Sequence, residues 1–115
     1  MANTFKVITK AGVTSADVIY TVAGSTTTII LGLIIGNTTS GAITSSVTLG
    51  TDTANRAGAN NETNQDVELV TSTAIPANSS LELLGGNKIV METTDTLSVV
   101  GSGAVDVALS VMEIT

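Results

Sequence analysis

The side chains that could carry out chemistry are few and far apart in this sequence. The chain contains no histidine and no cysteine, so the commonest general base and the thiolate metal ligands are both missing. Four carboxylates, Asp52, Glu62, Asp66 and Glu68, surround one polar stretch. Their oxygens suit Ca²⁺, but their spacing matches no EF-hand loop and the stretch also holds Arg56. The sequence therefore predicts a solvated acidic loop and no metal site.

A serine or threonine nucleophile would lack an activating partner. Only carboxylates and three lysines are available as bases, and the chain has no G-x-S-x-G motif. The glycines at 85–86 and 101–103 lack the strand–loop–helix context and the lysine of a phosphate-binding loop, and are typical of turns. We therefore predict no catalytic residue, no cofactor and no enzymatic activity.

The charge of the chain narrows its partners. The formal net charge is −6, with four scattered cations, which is too little positive charge to bind a phosphate backbone or an anionic membrane. Sugar binding is weakly supported, because the only aromatic side chains, Phe5 and Tyr20, fall on strand faces that we predict to be core. The first ten residues show no signal-peptide pattern, so we expect folding in a cytoplasm.

The elements that must position these side chains are predicted to be strands. Charged residues make up 12% of the chain and hydrophobic residues 43%, and the abundance of Val, Ile and Thr favours pleated sheets. Alternating patterns bounded by turn residues predict eight or nine strands, with a tight hairpin around 85–87. We expect one all-β domain over residues 1–115, a two-sheet antiparallel β-sandwich of jelly-roll or Greek-key type, with a long polar loop at about 50–66.

One apolar segment, TTTIILGLIIGN at 26–37, needs a special explanation. Its apolar middle part, residues 29–35, is far shorter than the roughly 20 residues of a membrane-spanning helix. As a strand, it predicts a core face made by Ile29, Leu31, Leu33 and Ile35. The opposite face is the candidate subunit interface, made by Ile30, Gly32, Ile34 and Gly36. A loop of the same chain or a third layer could cover that face instead, and we favour a neighbouring subunit.

An ordered set of short motifs runs through most of the chain outside the polar loop. They are MANTF at 1–5, TTTIILGLIIGN at 26–37, IPANSSL at 75–81, GGNKIV at 85–90, DTLSV at 95–99 and VDVALSVMEI at 105–114. In this order they resemble small virion structural proteins of tailed bacteriophages, notably those of marine cyanobacteria. The resemblance implies a non-enzymatic jelly-roll-like protein of the virion, assembled in the host cytoplasm. It also implies a homo-oligomer, with a trimer favoured, that contacts the major capsid protein or other virion proteins.

The position within the virion stays open between two hypotheses. A capsid decoration (cement) protein is favoured by the small size, the acidity, the lack of DNA-binding charge and the absence of a shaft-like repeat. A tail, neck or fibre component is the alternative. From a different class, a host-glycan binding module is a third hypothesis.

Overall fold

Nine antiparallel strands make up the regular structure of the described residues, which are 2–51, 65–84 and 86–115 of a computed structural model. The strands are β1 (Asn3–Val13), β2 (Asp17–Thr21), β3 (Thr27–Asn37), β4 (Ile43–Gly50), β5 (Asp66–Ile75), β6 (Ser80–Leu83), β7 (Ile89–Met91), β8 (Thr96–Gly101) and β9 (Val105–Ile114). The all-β prediction is confirmed. Among these residues there is no helix long and apolar enough to cross a membrane. The predicted polar loop falls mostly on 52–64, outside the described residues.

The strands form two sheets whose order defines the topology. One sheet runs β1–β9–β3–β6, with β7 also paired to β3, and the other runs β2–β8–β4–β5. The pairs β1·β9, β2·β8, β3·β6/β7 and β4·β5 are nested, from the two ends of the chain to its middle. The chain is therefore one long antiparallel hairpin folded over on itself, which is the jelly-roll arrangement. This confirms the predicted sandwich.

Strands β6 and β7 correct the predicted hairpin. They do not pair with each other: β6 pairs with β3 from Leu33 to Gly36, and β7 pairs with it from Thr28 to Ile30. Both run antiparallel to β3 and therefore share one direction along the same edge. The long β3 offers a row of backbone groups that need partners along its whole length. Two collinear segments satisfy more of them than a local hairpin would.

The core lies between the sheets and follows the two-residue period of the strands. On β9, Val105, Val107, Leu109 and Val111 are all buried, and so are Leu97 and other apolar side chains of the facing sheet. Fully burying one such side chain stabilises the fold by about 2 kcal/mol. Tyr20 is also in the core, as predicted.

Strand β3 contains a bulge that changes which residues share a face. Its register with β9 shifts between Ile30 and Gly32, so Leu31 is an extra residue in the ladder. A bulge reverses the alternation beyond it. The core face therefore carries Thr28, Ile30, Leu33 and Ile35, and the opposite face carries Ile29, Gly32, Ile34 and Gly36.

The predicted faces of β3 are therefore correct after the bulge and wrong before it. Leu33 and Ile35 are core residues as expected. Ile30, predicted for the subunit interface, is wrong for that role because its side chain is 0% exposed within the core. Ile29 and Leu31, predicted for the core, are only half-buried.

Phe5 is a second correction to the predicted core. It pairs with Met112 on the outward side of β1 and β9, and 71% of its surface is exposed. The inward side of β1 instead carries Ile8, the partner of the buried Leu109.

Candidate functional site

The outer face of the five-stranded sheet, the side turned away from the sandwich core, is unusual because it exposes large apolar side chains. Residues directly opposite each other in a ladder lie on the same face. Phe5 pairs with Met112, Met112 with Ile29, and Ile29 with Val90. These four side chains form an apolar row across β1, β9, β3 and β7. Within the row, Phe5 is 71% and Val90 48% exposed, so a broad apolar strip faces solvent.

Beyond the apolar row, most side chains of the same face are small, although Val7, the ladder partner of Ser110, is 63% exposed. The register places Gly32 opposite Ser110, Ile34 opposite Ala108, and Thr9 also opposite Ala108. A groove of about 400 Å³ crosses the strands here, and it is lined by Thr9, Lys10, Ala11, Ile34, Gly36, Asp106, Val107 and Ala108. We call it the small-residue groove. Ile34, which is 46% exposed, stands in its wall.

Glycine keeps this half of the face open. A Cβ atom added at Gly32 would meet no atom within 4 Å, and one added at Gly36 would meet only the backbone oxygen of Asp106 at 3.8 Å. Neither glycine has a positive φ. At these two positions, neither the surrounding space nor the backbone conformation of the chain requires a glycine. At both positions the backbone of β3 is left without a covering side chain.

The outer face carries few charged side chains, and one of them is Glu92, which accepts a hydrogen bond at 3.4 Å from Thr27, the ladder partner of Ile114. Of the described residues that the register places on it, only Glu82 and Asp106 are charged, and Asp106 accepts a hydrogen bond from the Gly12 amide at 3.0 Å. The register places the side chains of Lys6 and Lys10 on the inward side of β1, although Lys10 also lines the small-residue groove. Lys6 forms an ion pair with Glu113 at 2.7 Å, and Lys10 forms one with Asp17 of β2 at 3.2 Å.

A polar cluster links the two sheets at one end of the core. The Tyr20 hydroxyl donates to Oε2 of Glu113 at 2.6 Å and lies 2.7 Å from Oγ1 of the buried Thr28. Burial, and then the hydrogen bond to Glu113, raise the pKa of Tyr20 to about 12. The hydrogen bonds from Lys6 and Tyr20 hold the pKa of the Glu113 carboxyl below its usual range. All members are satisfied by one another, so the cluster has a structural role.

Asn37 is a second satisfied polar centre, at the other end of β3. Its Nδ2 donates to the backbone oxygens of Gly41, Ile75 and Pro76 at 2.9, 3.0 and 3.1 Å. Its Oδ1 accepts from the amide of Thr39 at 2.9 Å. The side chain is 2% exposed and ties the turn after β3 to the end of β5. It leaves no group free for a ligand.

The carboxylates singled out in the sequence do not come together in the described residues. Asp66 and Glu68 lie exposed on β5, while Asp52 and Glu62 fall outside the described residues. In the part of the chain that is described, no three of His, Cys, Asp and Glu approach closely enough to hold a metal ion. Every buried side-chain polar atom there has a hydrogen-bond partner.

The predicted interface residues are thus partly brought together. Gly32, Ile34 and Gly36 lie side by side on the outer face, whereas Ile30 does not. Sequence reasoning missed Phe5 and the rest of the apolar row. The signal for them is the register between β1, β9, β3 and β7, which joins residues far apart in the chain.

Comparisons with known proteins give little further information. No protein-family model matches the chain, and no curated protein matches it. Among solved structures, the chain is similar to a subunit from work described as "Bacillus endospore appendages form a novel family of disulfide-linked pili". The TM-score is 0.48 at 15% identity, over 97% of this chain and 84% of that one. A likeness at this level carries no argument about function.

Proposed function

We propose that this chain is a non-enzymatic structural protein of a virion, most specifically a capsid decoration protein that works as a homo-oligomer. The observation that carries the proposal is the exposed apolar outer face of the five-stranded sheet. Contiguous apolar patches on soluble proteins mark places where another macromolecule binds. The exposed fraction is 71% for Phe5 and 48% for Val90 of the apolar row, and 46% for Ile34. The surface is suited to packing against another protein.

The virion context is supported by topology and by sequence together. Jelly rolls are one of the architectures of viral capsid domains, although lectins and cupins share them. The ordered motifs that resemble phage structural proteins favour the first of these. The net charge of −6 also suits a protein that contacts protein rather than packaged nucleic acid. The expected partners are further copies of this chain and the major capsid protein, and the expected location is the virion.

Sugar binding is supported less well by the same surface. A sugar site combines an aromatic platform with polar side chains that hydrogen-bond the hydroxyl groups. Phe5 is exposed, but its neighbours in the row are Met112, Ile29 and Val90, which offer no such groups. The outer face therefore favours contact with an apolar protein surface.

The test is the number of copies per particle. Purified virions of the virus that encodes the chain would be analysed by quantitative mass spectrometry, with the major capsid protein as the internal standard. We expect hundreds of copies, because a decoration protein follows the capsid lattice. About a dozen copies would instead assign the chain to a tail or neck ring. Complete absence from the particles would contradict the virion role.

A further inference from the structure

The free edge of β1 is the longest unpaired strand edge in the described part of the chain. β1 is the first strand of its sheet and pairs only with β9. We infer that the β1 edges of two copies pair antiparallel, about a two-fold axis that is perpendicular to the sheet and passes between Val7 and its copy. Two five-stranded sheets then become one. This inference rests on the proposed function, since it specifies a contact between structural subunits, and this contact is separate from the outer face.

The backbone of β1 alternates between its partner strand and the free edge. Ala2 and Thr115 exchange two backbone hydrogen bonds, at 3.1 and 3.0 Å, so the even-numbered residues of β1 point their N–H and C=O groups towards β9. The odd-numbered residues from Asn3 to Thr9 therefore point theirs at the free edge, where no described residue pairs with them. A row of such groups is a template for a further strand.

The other free edges are short or irregular among the described residues. β2 has five residues and a register shift between Val18 and Tyr20. β5 shows two register shifts against β4 and exposes the carboxylates of Asp66 and Glu68. β6 and β7 have four and three residues. Short, irregular and charged edges resist the addition of a strand, whereas β1 keeps one register over residues 3–10.

The two lysines of β1 leave this edge able to pair. Lysine on an edge strand commonly prevents pairing, but the register places both of these side chains inward. There Lys6 forms its ion pair with Glu113 at 2.7 Å, and Lys10 forms one with Asp17 at 3.2 Å. Their charges are therefore balanced within the chain. The outward side chains over residues 3–9 are all uncharged.

The lysines also select the position of the axis. An axis at Lys6 would place the two copies of Lys6 directly opposite each other, and an axis at Ile8 would place Lys6 opposite the partner's Lys10. Like charges directly opposite each other destabilise a sheet. An axis at Val7 places Lys6 opposite the partner's Ile8 instead.

The length of the strand favours the same position. An axis at Phe5 would overlap the two strands only over residues 2–8, because few residues precede it. An axis at Val7 overlaps them over residues 3–11, up to the bulge that follows Lys10. Within this overlap, three pairs of free-edge residues away from the bulge form about six backbone hydrogen bonds.

This register also covers exposed apolar side chains. Phe5 and Val7, at 71% and 63%, are the most exposed large hydrophobic side chains of the described residues. In the pair, Val7 stands opposite its own copy and Phe5 opposite the partner's Thr9. Opposite and diagonal neighbours on one face of a sheet pack against each other. The two Val7 side chains therefore join the apolar rows of the two copies into one surface.

The contact is small, so the pair depends on concentration. An overlap of about nine residues spans about 30 Å, and a strand edge with its side chains is about 10 Å thick. The pair therefore buries about 600 Å² in total, below the roughly 1,200 Å² at which stable specific interfaces begin. We expect the edge contact to form where copies are held close together, as on a particle.

The first test is disulfide formation by single cysteines, since the natural chain has none. The Cα atoms of a hydrogen-bonded pair of opposite residues lie about 5.5 Å apart, a distance that a disulfide spans. We expect Val7→Cys to form a covalent dimer under mild oxidation at least tenfold faster than Val18→Cys. Val18 is the matched control, since it is 53% exposed at the edge of the other sheet. Equal rates would overturn the inference.

Mixtures of two cysteine variants test the register. An axis at Val7 brings Phe5→Cys opposite Thr9→Cys, whereas an axis at Lys6 brings Phe5→Cys opposite Val7→Cys. We therefore expect the mixed dimer of Phe5→Cys with Thr9→Cys to form faster than that of Phe5→Cys with Val7→Cys. The reverse order would overturn the position of the axis.

The second test removes a hydrogen-bond donor from the free edge. Val7→Pro deletes an N–H that points away from β9, so the ladder within the chain is kept, and proline is tolerated on edge strands. Val7→Thr is the matched control, because it keeps both the N–H and nearly the same shape. Both are made in the Ile34→Lys chain, so that contact through the outer face does not contribute.

Sedimentation velocity over a range of concentrations then measures the edge contact alone. We expect Val7→Pro to raise the dissociation constant at least tenfold with an unchanged circular dichroism spectrum, and Val7→Thr to associate like its parent chain. Association of a folded Val7→Pro chain at the parent's dissociation constant would overturn the inference. The cysteine test decides the question if Val7→Pro does not fold.

The outcomes separate the inference from the proposed function. Linking of Val7→Cys in the Ile34→Lys chain would support an edge contact that is independent of the outer face. A closed oligomer that forms without linking through Val7→Cys would overturn the edge pairing and leave the structural role in place. Only absence of the chain from virions would overturn the proposed function.

Discussion

The hydroxyl of Tyr20 is the polar link between the two sheets, and its removal is a quantitative test of the fold. Tyr20→Phe deletes the donor to the Glu113 carboxylate at 2.6 Å and the partner of the Thr28 hydroxyl at 2.7 Å. A hydrogen bond to a charged group stabilises a protein by about 1.5–3 kcal/mol. We expect the free energy of unfolding at pH 7 to fall by about 2 kcal/mol. For a chain of this length, that lowers the melting temperature by about 8 °C.

The alkaline arm of the same experiment is specific to this residue. The pKa of Tyr20 is raised from 10.0 to about 12 in the folded state, so the folded protein holds the phenolic proton more tightly than the unfolded chain does. This stabilisation is fully present below pH 10 and is lost as the pH rises towards 12, by about 3 kcal/mol in total. Tyr20 is the only tyrosine of the chain, so Tyr20→Phe should lack this loss.

At low pH, the loss of stability comes from Glu113 and follows the pH in the opposite direction. The pKa of Glu113 is lowered in the folded state, first by the hydrogen bond from Lys6 and then by that from Tyr20. Glu113 therefore contributes to the free energy of unfolding above the ordinary glutamate pKa. This contribution is lost as the pH falls through the lowered pKa that Glu113 has in the folded protein. The Tyr20→Phe variant should lose less stability on this side, because one of the two hydrogen bonds is missing.

Urea unfolding followed by circular dichroism, repeated across the pH range, measures all three effects. Thr21→Val is the control, since this exposed neighbour on β2 also loses a hydroxyl. It should match the wild type to within about 0.5 kcal/mol. If Tyr20→Phe were as stable as the wild type at pH 7 and showed the same alkaline loss, the link between the sheets would not have the role assigned to it.

Three further predictions address the rest of the molecule. Asn37→Asp places a carboxylate among three backbone oxygens, so urea unfolding should show a loss of about 3 kcal/mol, whereas the exposed Asn87→Asp should change stability by less than about 0.5 kcal/mol. Leu109→Ala empties a fully buried site between the sheets and should cost about 3 kcal/mol in the same assay. Ile34→Lys should dissociate the oligomer in light scattering while keeping the β-rich circular dichroism spectrum, and Val18→Lys, equally exposed on the other sheet, should leave the oligomer intact.

Each of these predictions has a contradicting result. Equal stability of the two Asn→Asp variants would show that the Asn37 amide acts only by filling space. A loss below about 1 kcal/mol for Leu109→Ala would mean that the core collapses around the gap. Unfolding of Ile34→Lys would show that the outer face belongs to the core of its own chain.

The sequence predicted the strands well because each one carries its own local pattern. The alternation of Val105, Val107 and Leu109 already marks the inward side of β9, and the turn residues between segments mark where strands end. Eight or nine strands with few charges leave a sandwich as the simplest way to bury one face of each. These properties depend on neighbouring residues and need no knowledge of pairing.

The errors arose where pairing between distant segments decides the outcome. The bulge at Leu31 cannot be seen in β3 alone, because it is a mismatch with β9, and it moved Ile30 from the predicted interface into the core. The expected hairpin between β6 and β7 does not form, because both strands pair instead with the free edge of β3. The apolar row was missed for the same reason: Phe5 and Met112 become neighbours only once the ends of the chain pair.

The most direct test of the central claim is hydroxyl-radical footprinting of the wild-type protein at low and high concentration. The claim is that the outer face of the five-stranded sheet is where the subunits meet. Oxidation of Phe5, the only phenylalanine, and of Met112 should fall as the protein associates, while Met91, 0% exposed, stays unreactive throughout. Association that leaves Phe5 and Met112 as reactive as in the dilute protein would contradict the account.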